Sequence, residues 1–244
     1  MVKNIPKLTK QTVIVGPDNL EDIVMDFFEV VVRFFQEGGA FMFPIAVVLA
    51  IGLAIAVERY FFISVAKRVN KKAFGDMEPM LQKHNYEGVL KYAASNKAPI
   101  SRIIGAGIAR LGQSPRREEI EYAMEEGLME TTPRLEKRTA YLATLANIST
   151  LLGLLGTIIG LIAAFSAVAS ADPSEKASLL SQSISVAMNT TAFGLIAAIP
   201  LLLCHSILQT KTTEIIDSME MAGVKCLNLL ITRQNLTAKS RQSD

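Results

Sequence analysis

The sequence predicts an all-α polytopic membrane protein, with three transmembrane helices and long helices extending into the cytoplasm. Three observations predict it. Half of the 244 residues are apolar, and they cluster into membrane-length runs. Residues 139–171 and 177–210 contain no Asp, Glu, Lys or Arg, and each exceeds the roughly 20 apolar residues that cross a bilayer core of about 30 Å. A further uncharged run, 40–57, is closed by Glu58-Arg59. At about 1.5 Å per residue the two longer runs reach about 50 Å each, so they project beyond the hydrocarbon.

In chain order, residues 1–19 carry Lys3, Lys7 and Lys10 with no apolar core behind them. They read as a surface tail, not a secretory signal. Pro17-Asp18-Asn19 is a stop-and-start signal, with Asp18 or Asn19 able to cap the next helix. Over 20–37, Leu20, Ile23, Val24, Phe27, Phe28 and Val31 oppose Asp22, Asp26, Glu29 and Arg33. Such an amphipathic helix lies in the membrane interface. Its acidic balance suits the periplasmic surface better than the anionic cytoplasmic leaflet.

Gly38-Gly39 breaks that helix, and the first span occupies 38–64. Pro44 sits near its start, where no amide donor is needed. Lys67, Arg68, Lys71 and Lys72 follow this span, Arg134, Lys137 and Arg138 precede the second, and Lys211 follows the third. The positive-inside rule places all three groups in the cytoplasm. The N-terminus is then periplasmic and the C-terminus cytoplasmic. The second span is 139–171, the third 179–210, and 172–178 with Pro173 is the periplasmic loop.

The polar stretch 65–138 forms a cytoplasmic helical domain. Asp76–Ser95 and Pro99–Leu111 read as short helices. Ser114-Pro115 caps a long helix with the proline at its first position. That helix runs into the second span, kinked at Pro133. Its charged faces read as solvated surface, with Arg116-Arg117 and the Glu119/Glu126 region as candidate subunit or docking contacts. Residues 211–244 form an amphipathic helix and a polar tail.

Several functions are disfavoured. A net charge of +2 leaves no nucleic-acid footprint. Cys204 and Cys226 read as reduced packing thiols, and without a CxxC or a His cluster no metal site is expected. His84 and His205 are isolated, and satisfied or interfacial roles suit them better than proton carriage. No nucleophile–base pair or phosphate loop points to an enzyme. No cofactor is expected beyond a transported ion.

The informative feature is the polar content of the second and third spans. Gly153, Gly156, Thr157 and Gly160 recur at spacings of three and four, which puts them on one helical stripe. Ser183, Asn189, Thr190, Thr191 and Gly194 do the same less regularly. Gly156-x-x-x-Gly160 is a small-xxx-small pattern that lets backbones approach. A purely structural reading has these hydroxyls bonded back to their own helix carbonyls. An ion path instead needs a polar lining and an ionisable relay. These spans hold no carboxylate, so a second chain must supply one.

LEKRTAYLATLANISTLLGLLGTIIGLIAAF (135–165) resembles the signature helix of the MotA/TolQ/ExbB ion-channel family, and SISVAMNTTAFGLIAAIP (183–200) resembles the helix that follows it. GGAFMFPIAVVLAIGLAIAVERYFF (38–62) resembles the opening helix of the three-span ExbB/TolQ branch; the flagellar MotA branch has an additional span. The resemblance implies a homo-oligomer, usually a pentamer, in the bacterial inner membrane. The ring encloses a single-span ExbD/TolR-type partner whose Asp lies near the membrane start, with a TonB/TolA-like periplasm-spanning protein as a further partner. Such a motor uses the proton motive force to energise outer-membrane transport or envelope processes.

The resemblance also implies site roles. Thr157 and Thr191 match the channel threonines, with Thr190, Ser185 and Asn189 beside them in the ion pathway. Gly153, Gly156, Gly160, Gly194 and Pro200 serve helix packing. Val186 stands where many relatives carry Glu, and Ser149-Thr150 where many carry Pro. The Thr190-Thr191 pair with Ser185 also resembles the sodium-driven stator branch, so H+ is the expected ion with Na+ as the alternative. A non-conducting membrane scaffold is the alternative of another class.

Overall fold

The computed structural model describes Phe35 and residues 38–242, with side chains as far as Thr232. The tail expected over 1–19 and, Phe35 apart, the amphipathic helix expected over 20–37 lie outside the described residues. Every regular element among the described residues is an α-helix: α1 Met42–Gln82, α2 Tyr86–Ser95, α3 Pro99–Leu111, α4 Arg117–Glu136, α5 Thr139–Ser170 and α6 Lys176–Gln242. Three helical stretches are long and apolar enough to cross a membrane, one in α1, one ending with α5 and one in α6. Their large apolar side chains point outward: Phe61, Leu151, Ile162, Phe165 and Leu203 are all at least 60% exposed. Water would not tolerate so much contiguous apolar surface, whereas lipid does. The chain is a multi-pass membrane protein.

The described residues form two compact units, one of Phe35 and 38–43 with 153–193 and one of 44–152 with 194–242. In the second unit α1 and α6 run parallel and in register. Lys67 pairs with Glu214 at 2.9 Å and Lys225 pairs with Glu78, both across 147 positions of sequence. Higher up, a Cβ on Gly52 would meet Leu201 Cδ2 at 2.5 Å, so the absent side chain is what admits the leucine.

The polar middle of the chain forms a packed layer on those helices. α3 lies antiparallel to α4, with Arg102 bonded to Glu130 at 2.7 Å and Gly127 set against the Ile103 backbone. Ile100, Ile103, Ile104 and Ile108 recur at three- and four-residue spacing and bury one face of α3. They share a core with Met77 and Leu81 of α1, Ile120 and Met124 of α4, and Ile215, Met219 and Leu227 of α6. The cap of α3, Ala98, has no side-chain oxygen. The buried Asn70 of α1 does that work from another helix: its Oδ1 accepts from the Ile100 amide at 3.1 Å, while its Nδ2 donates to Met219 Sδ at 3.3 Å. Cys226 is buried in the same core, and desolvation pushes its thiol pKa up to about 12.

Four sequence expectations need correction. The helix expected over Asp76–Ser95 is two elements: α1 continues from the first span to Gln82, and α2 starts at Tyr86. Between them His84 takes a left-handed φ of 59°, with its ring 3.4 Å from the Tyr86 hydroxyl. Pro115 precedes α4 instead of heading it, since the capping position is Arg116.

The helix expected to run into the second span is interrupted, and not at Pro133, which sits inside α4, but at Lys137–Arg138, where Arg138 has φ 68°. A helix end leaves carbonyls without amide partners. Here the buried guanidinium of Arg59 donates to the Leu135 carbonyl and lies over the Phe62 ring, 4.7 Å from its centroid. Its neighbour Glu58 accepts from Arg138 at 3.2 Å. The Glu58-Arg59 pair, read from sequence only as the end of a span, therefore fixes the break between α4 and α5. Finally, the amphipathic helix expected from Lys211 is a continuation of α6, which passes through Pro200 without ending.

Candidate functional site

The hydroxyl-bearing stretches of α5 and α6 meet within the first compact unit. They run antiparallel. A Cβ on Gly156 would sit 2.4 Å from Thr190 Cγ2, and one on Gly160 would sit 2.9 Å from Ala187 Cβ. The two glycines of the small-xxx-small pattern thus face two successive contact positions of α6. Without Cβ atoms the backbones come close enough for direct hydroxyl-to-carbonyl bonds between helices.

Three threonines use that proximity differently. Thr191 donates to the Gly153 carbonyl of α5 at 2.9 Å, and its oxygen lies 3.4 Å from Thr157 Oγ1. Thr157 donates back into its own helix, to the Leu154 carbonyl at 2.6 Å. Each hydroxyl has one proton. The Thr191 proton is shared between the Gly153 carbonyl and Thr157 Oγ1, and the Thr157 proton goes to the Leu154 carbonyl, so each oxygen still carries a lone pair to offer. Thr157 and Thr191 are half-buried. The arrangement can accept hydrogen bonds or offer hard oxygen ligands to a cation, but it cannot itself change charge near neutral pH.

Thr190 faces elsewhere. It is buried against Gly156, and its proton is shared between the Gly38 carbonyl at 2.6 Å and the Val186 carbonyl at 2.9 Å. The Gly38 carbonyl belongs to the turn that opens α1, where Gly39 has φ 72°, a conformation glycine adopts without strain. Phe35 adds edge-on ring contacts to Phe43 and Phe193, at 5.9 and 5.2 Å. The vicinal pair of the sequence is therefore split: Thr191 contacts α5, and Thr190 anchors the chain entering α1.

The other predicted positions separate as well. Gly153 supplies the carbonyl for Thr191. Ser185 is exposed and Asn189 half-buried. At 100° per residue they share a face more than 100° from Thr191, so they do not join the hydroxyl pair. Gly194 and Pro200 belong to the second unit, where Gly194 is buried and Pro200 half-buried. Sequence reasoning missed the acceptors, the carbonyls of Gly38, Gly153 and Leu154, because backbone groups leave no residue-type signal. It also missed that Thr139, buried with an unpartnered hydroxyl, lines a cleft of about 190 Å³ with His205 and Glu136.

Comparison with known proteins gives this geometry a context. Residues 95–221, just over half of the chain, match the MotA/TolQ/ExbB proton channel family. An ExbB homolog of Methanothermobacter thermautotrophicus is 29% identical over 202 residues, covering 82% of this chain and 70% of the relative. The biopolymer transport protein exbB1 of Vibrio cholerae is 29% identical over 171 residues, 68% of this chain and 73% of the relative. The Tol-Pal system protein TolQ of Haemophilus influenzae is 33% identical over 93 residues, 38% and 40% of the two chains. The chain belongs to the MotA/TolQ/ExbB family, in its ExbB/TolQ branch.

Proposed function

From that membership we propose that the chain is the ring-forming subunit of an ion-driven motor in the inner membrane. Copies of it, five by family resemblance, surround a single-span ExbD/TolR-type partner. The partner's membrane Asp carries the proton, and the assembly energises outer-membrane transport or an envelope process through a TonB/TolA-like protein. The chain crosses three times, with its N-terminus periplasmic and its C-terminus cytoplasmic, the orientation that the flanking Lys and Arg groups favour.

The observation carrying this reading is the Thr157–Thr191 hydroxyl contact at 3.4 Å. Thr191 donates to the Gly153 carbonyl and to Thr157 Oγ1 while Thr157 donates to the Leu154 carbonyl, so both oxygens keep lone pairs to offer. A neutral carboxylic acid needs acceptors for its O–H, and a passing hydronium needs the same. Two adjacent lone-pair donors in a charge-free stretch meet that need without trapping the ion, as a fixed carboxylate would. Thr190 acts as a positioning residue: its bond to the Gly38 carbonyl sets α6 against the start of the first span. The same pair of hard oxygens suits an alkali cation, which keeps sodium as a second reading.

The test uses the full chain co-produced with its single-span partner. Thr157→Ala and Thr191→Ala are expected to lower ion-driven activity by at least about tenfold, with membrane insertion and oligomer size unchanged. Thr→Ser at either position, which keeps the oxygen, is expected to retain most of it. Full activity in both alanine variants would leave only a non-conducting scaffold. Sodium-free medium, compared with a proton uncoupler, separates the two ions.

A further inference from the structure

We infer that the face of α4 bearing Tyr122 and Met129 docks into a lysine-rimmed groove between α1 and α6 of a second copy of this chain. The inference rests on the ring proposed above and adds which surfaces close it outside the bilayer.

The donor face is conspicuous for its exposure. Tyr122 is 69% and Met129 72% exposed, on a polar helix where lipid does not cover them. Seven residues apart, they sit about 20° from one another around the helix. Glu118, Glu125 and Glu126 flank them within about 60°, all exposed and none in an ion pair among the described residues. The acids off this strip are neutralised: Glu119 by Arg116, Glu121 by Arg117, and Glu130 by Arg102 and Arg134. Of the acids of α4 without an ion pair among the described residues, Glu118, Glu125 and Glu126 surround its two exposed apolar side chains, and Glu136 stands apart at its C-terminal end.

The acceptor is a groove of about 350 Å³ lined by Phe74, Met221 and Ala222 together with Lys67, Lys71 and Lys225. Met221 is 69% exposed. Lys67 and Lys225 are paired with Glu214 and Glu78, so the groove's uncompensated positive charge is that of Lys71, which has no ion-pair partner among the described residues. The two surfaces are therefore complementary in charge and both offer apolar area. They also match in depth under the proposed topology. Tyr122 lies about 24 Å of helical rise before Arg138, Lys71 about 21 Å beyond Val57, and Lys225 about 22 Å beyond Thr210. Because the surfaces differ, the contact is head-to-tail, and repetition about an axis along the membrane normal closes a ring.

Disulfide trapping in native membranes tests this with the full-length chain carrying Cys204→Ala and Cys226→Ala. The double variant Tyr122→Cys, Met221→Cys is expected to give a ladder of covalent oligomers on mild oxidation, and each single variant only monomer. Adding Glu125→Lys should cut the yield about tenfold, and Lys71→Glu in the same chain should restore it. A double variant that stays monomeric on the denaturing gel, while native mass measurement finds the oligomer intact, overturns this docking and leaves the ring standing. Crosslinking by Tyr122→Cys alone overturns it too, since that requires a face-to-face dimer. A chain that is monomeric in native mass measurement overturns both readings.

Discussion

The α5–α6 contact of the first unit and the α1–α6 contact of the second hold helices together by different means. In the first, adhesion comes from missing atoms: Gly156 and Gly160 lack the Cβ that would strike Thr190 and Ala187, and hydroxyls reach backbone carbonyls across the gap. In the polar part of the second, beyond the Gly52–Leu201 contact, large side chains interdigitate and charge supplements them, as at Lys67–Glu214 and Lys225–Glu78. The difference follows solvent. Among lipid tails, apolar burial between helices gains little, so close approach and satisfied polar groups decide. Where water is present, burying Ile, Leu and Met is itself favourable.

The contrast can be broken first at its tightest point. Gly156→Leu should be the most damaging change, because four added carbons must fit where one already meets Thr190 at 2.4 Å. Overpacking of this kind costs about 3 kcal/mol; loss of the oligomer and of thermal stability in detergent would register it. Arg59→Ala comes next. It strips the buried donor from the Leu135 carbonyl, a hydrogen bond from a charged group worth about 2 kcal/mol. A lower Tm with faster proteolysis near Lys137–Arg138 is the expected readout.

The smallest effect should come from Lys67→Ala. The Lys67 ammonium, by hydrogen bond and then by its charge, holds the Glu214 carboxyl below its ordinary pKa, but the pair is open to solvent and screened. Its contribution is present above the ordinary carboxylate range and disappears as pH falls through the lowered value. Parent and variant should therefore differ slightly in Tm at neutral pH and converge in acid.

What sequence conveyed and what it did not divide along physical lines. The spans were legible because a charge-free run of this length has few other uses, and the glycine stripe because small residues at three- and four-residue spacing mark a packing face. The Thr157–Thr191 proximity followed only through family resemblance, since nothing local specifies which α6 residue faces Gly153. Boundaries were read less well. The sequence predicts a helix running from Pro133 into the second span, but it is interrupted at Lys137–Arg138, where Glu58 and Arg59 from a distant helix supply the partners. The cap on Ile100 likewise comes from Asn70, thirty positions upstream, where a local scan for capping residues does not look.

That remote cap bears on the order in which the protein is made. Asn70 leaves the ribosome before Ile100, so the acceptor for the first amide of the bundle is already waiting when α3 is synthesised. Met219, Glu214 and Lys225, which complete the same layer, are translated far later. Domains generally take shape from the N-terminal side during synthesis. Until its last helix arrives, Met77, Ile100 and Ile104 have Ile120 and Met124 beside them but not Ile215, Met219 and Leu227. One side of this core therefore stays open, a stage at which chaperone binding has most to protect.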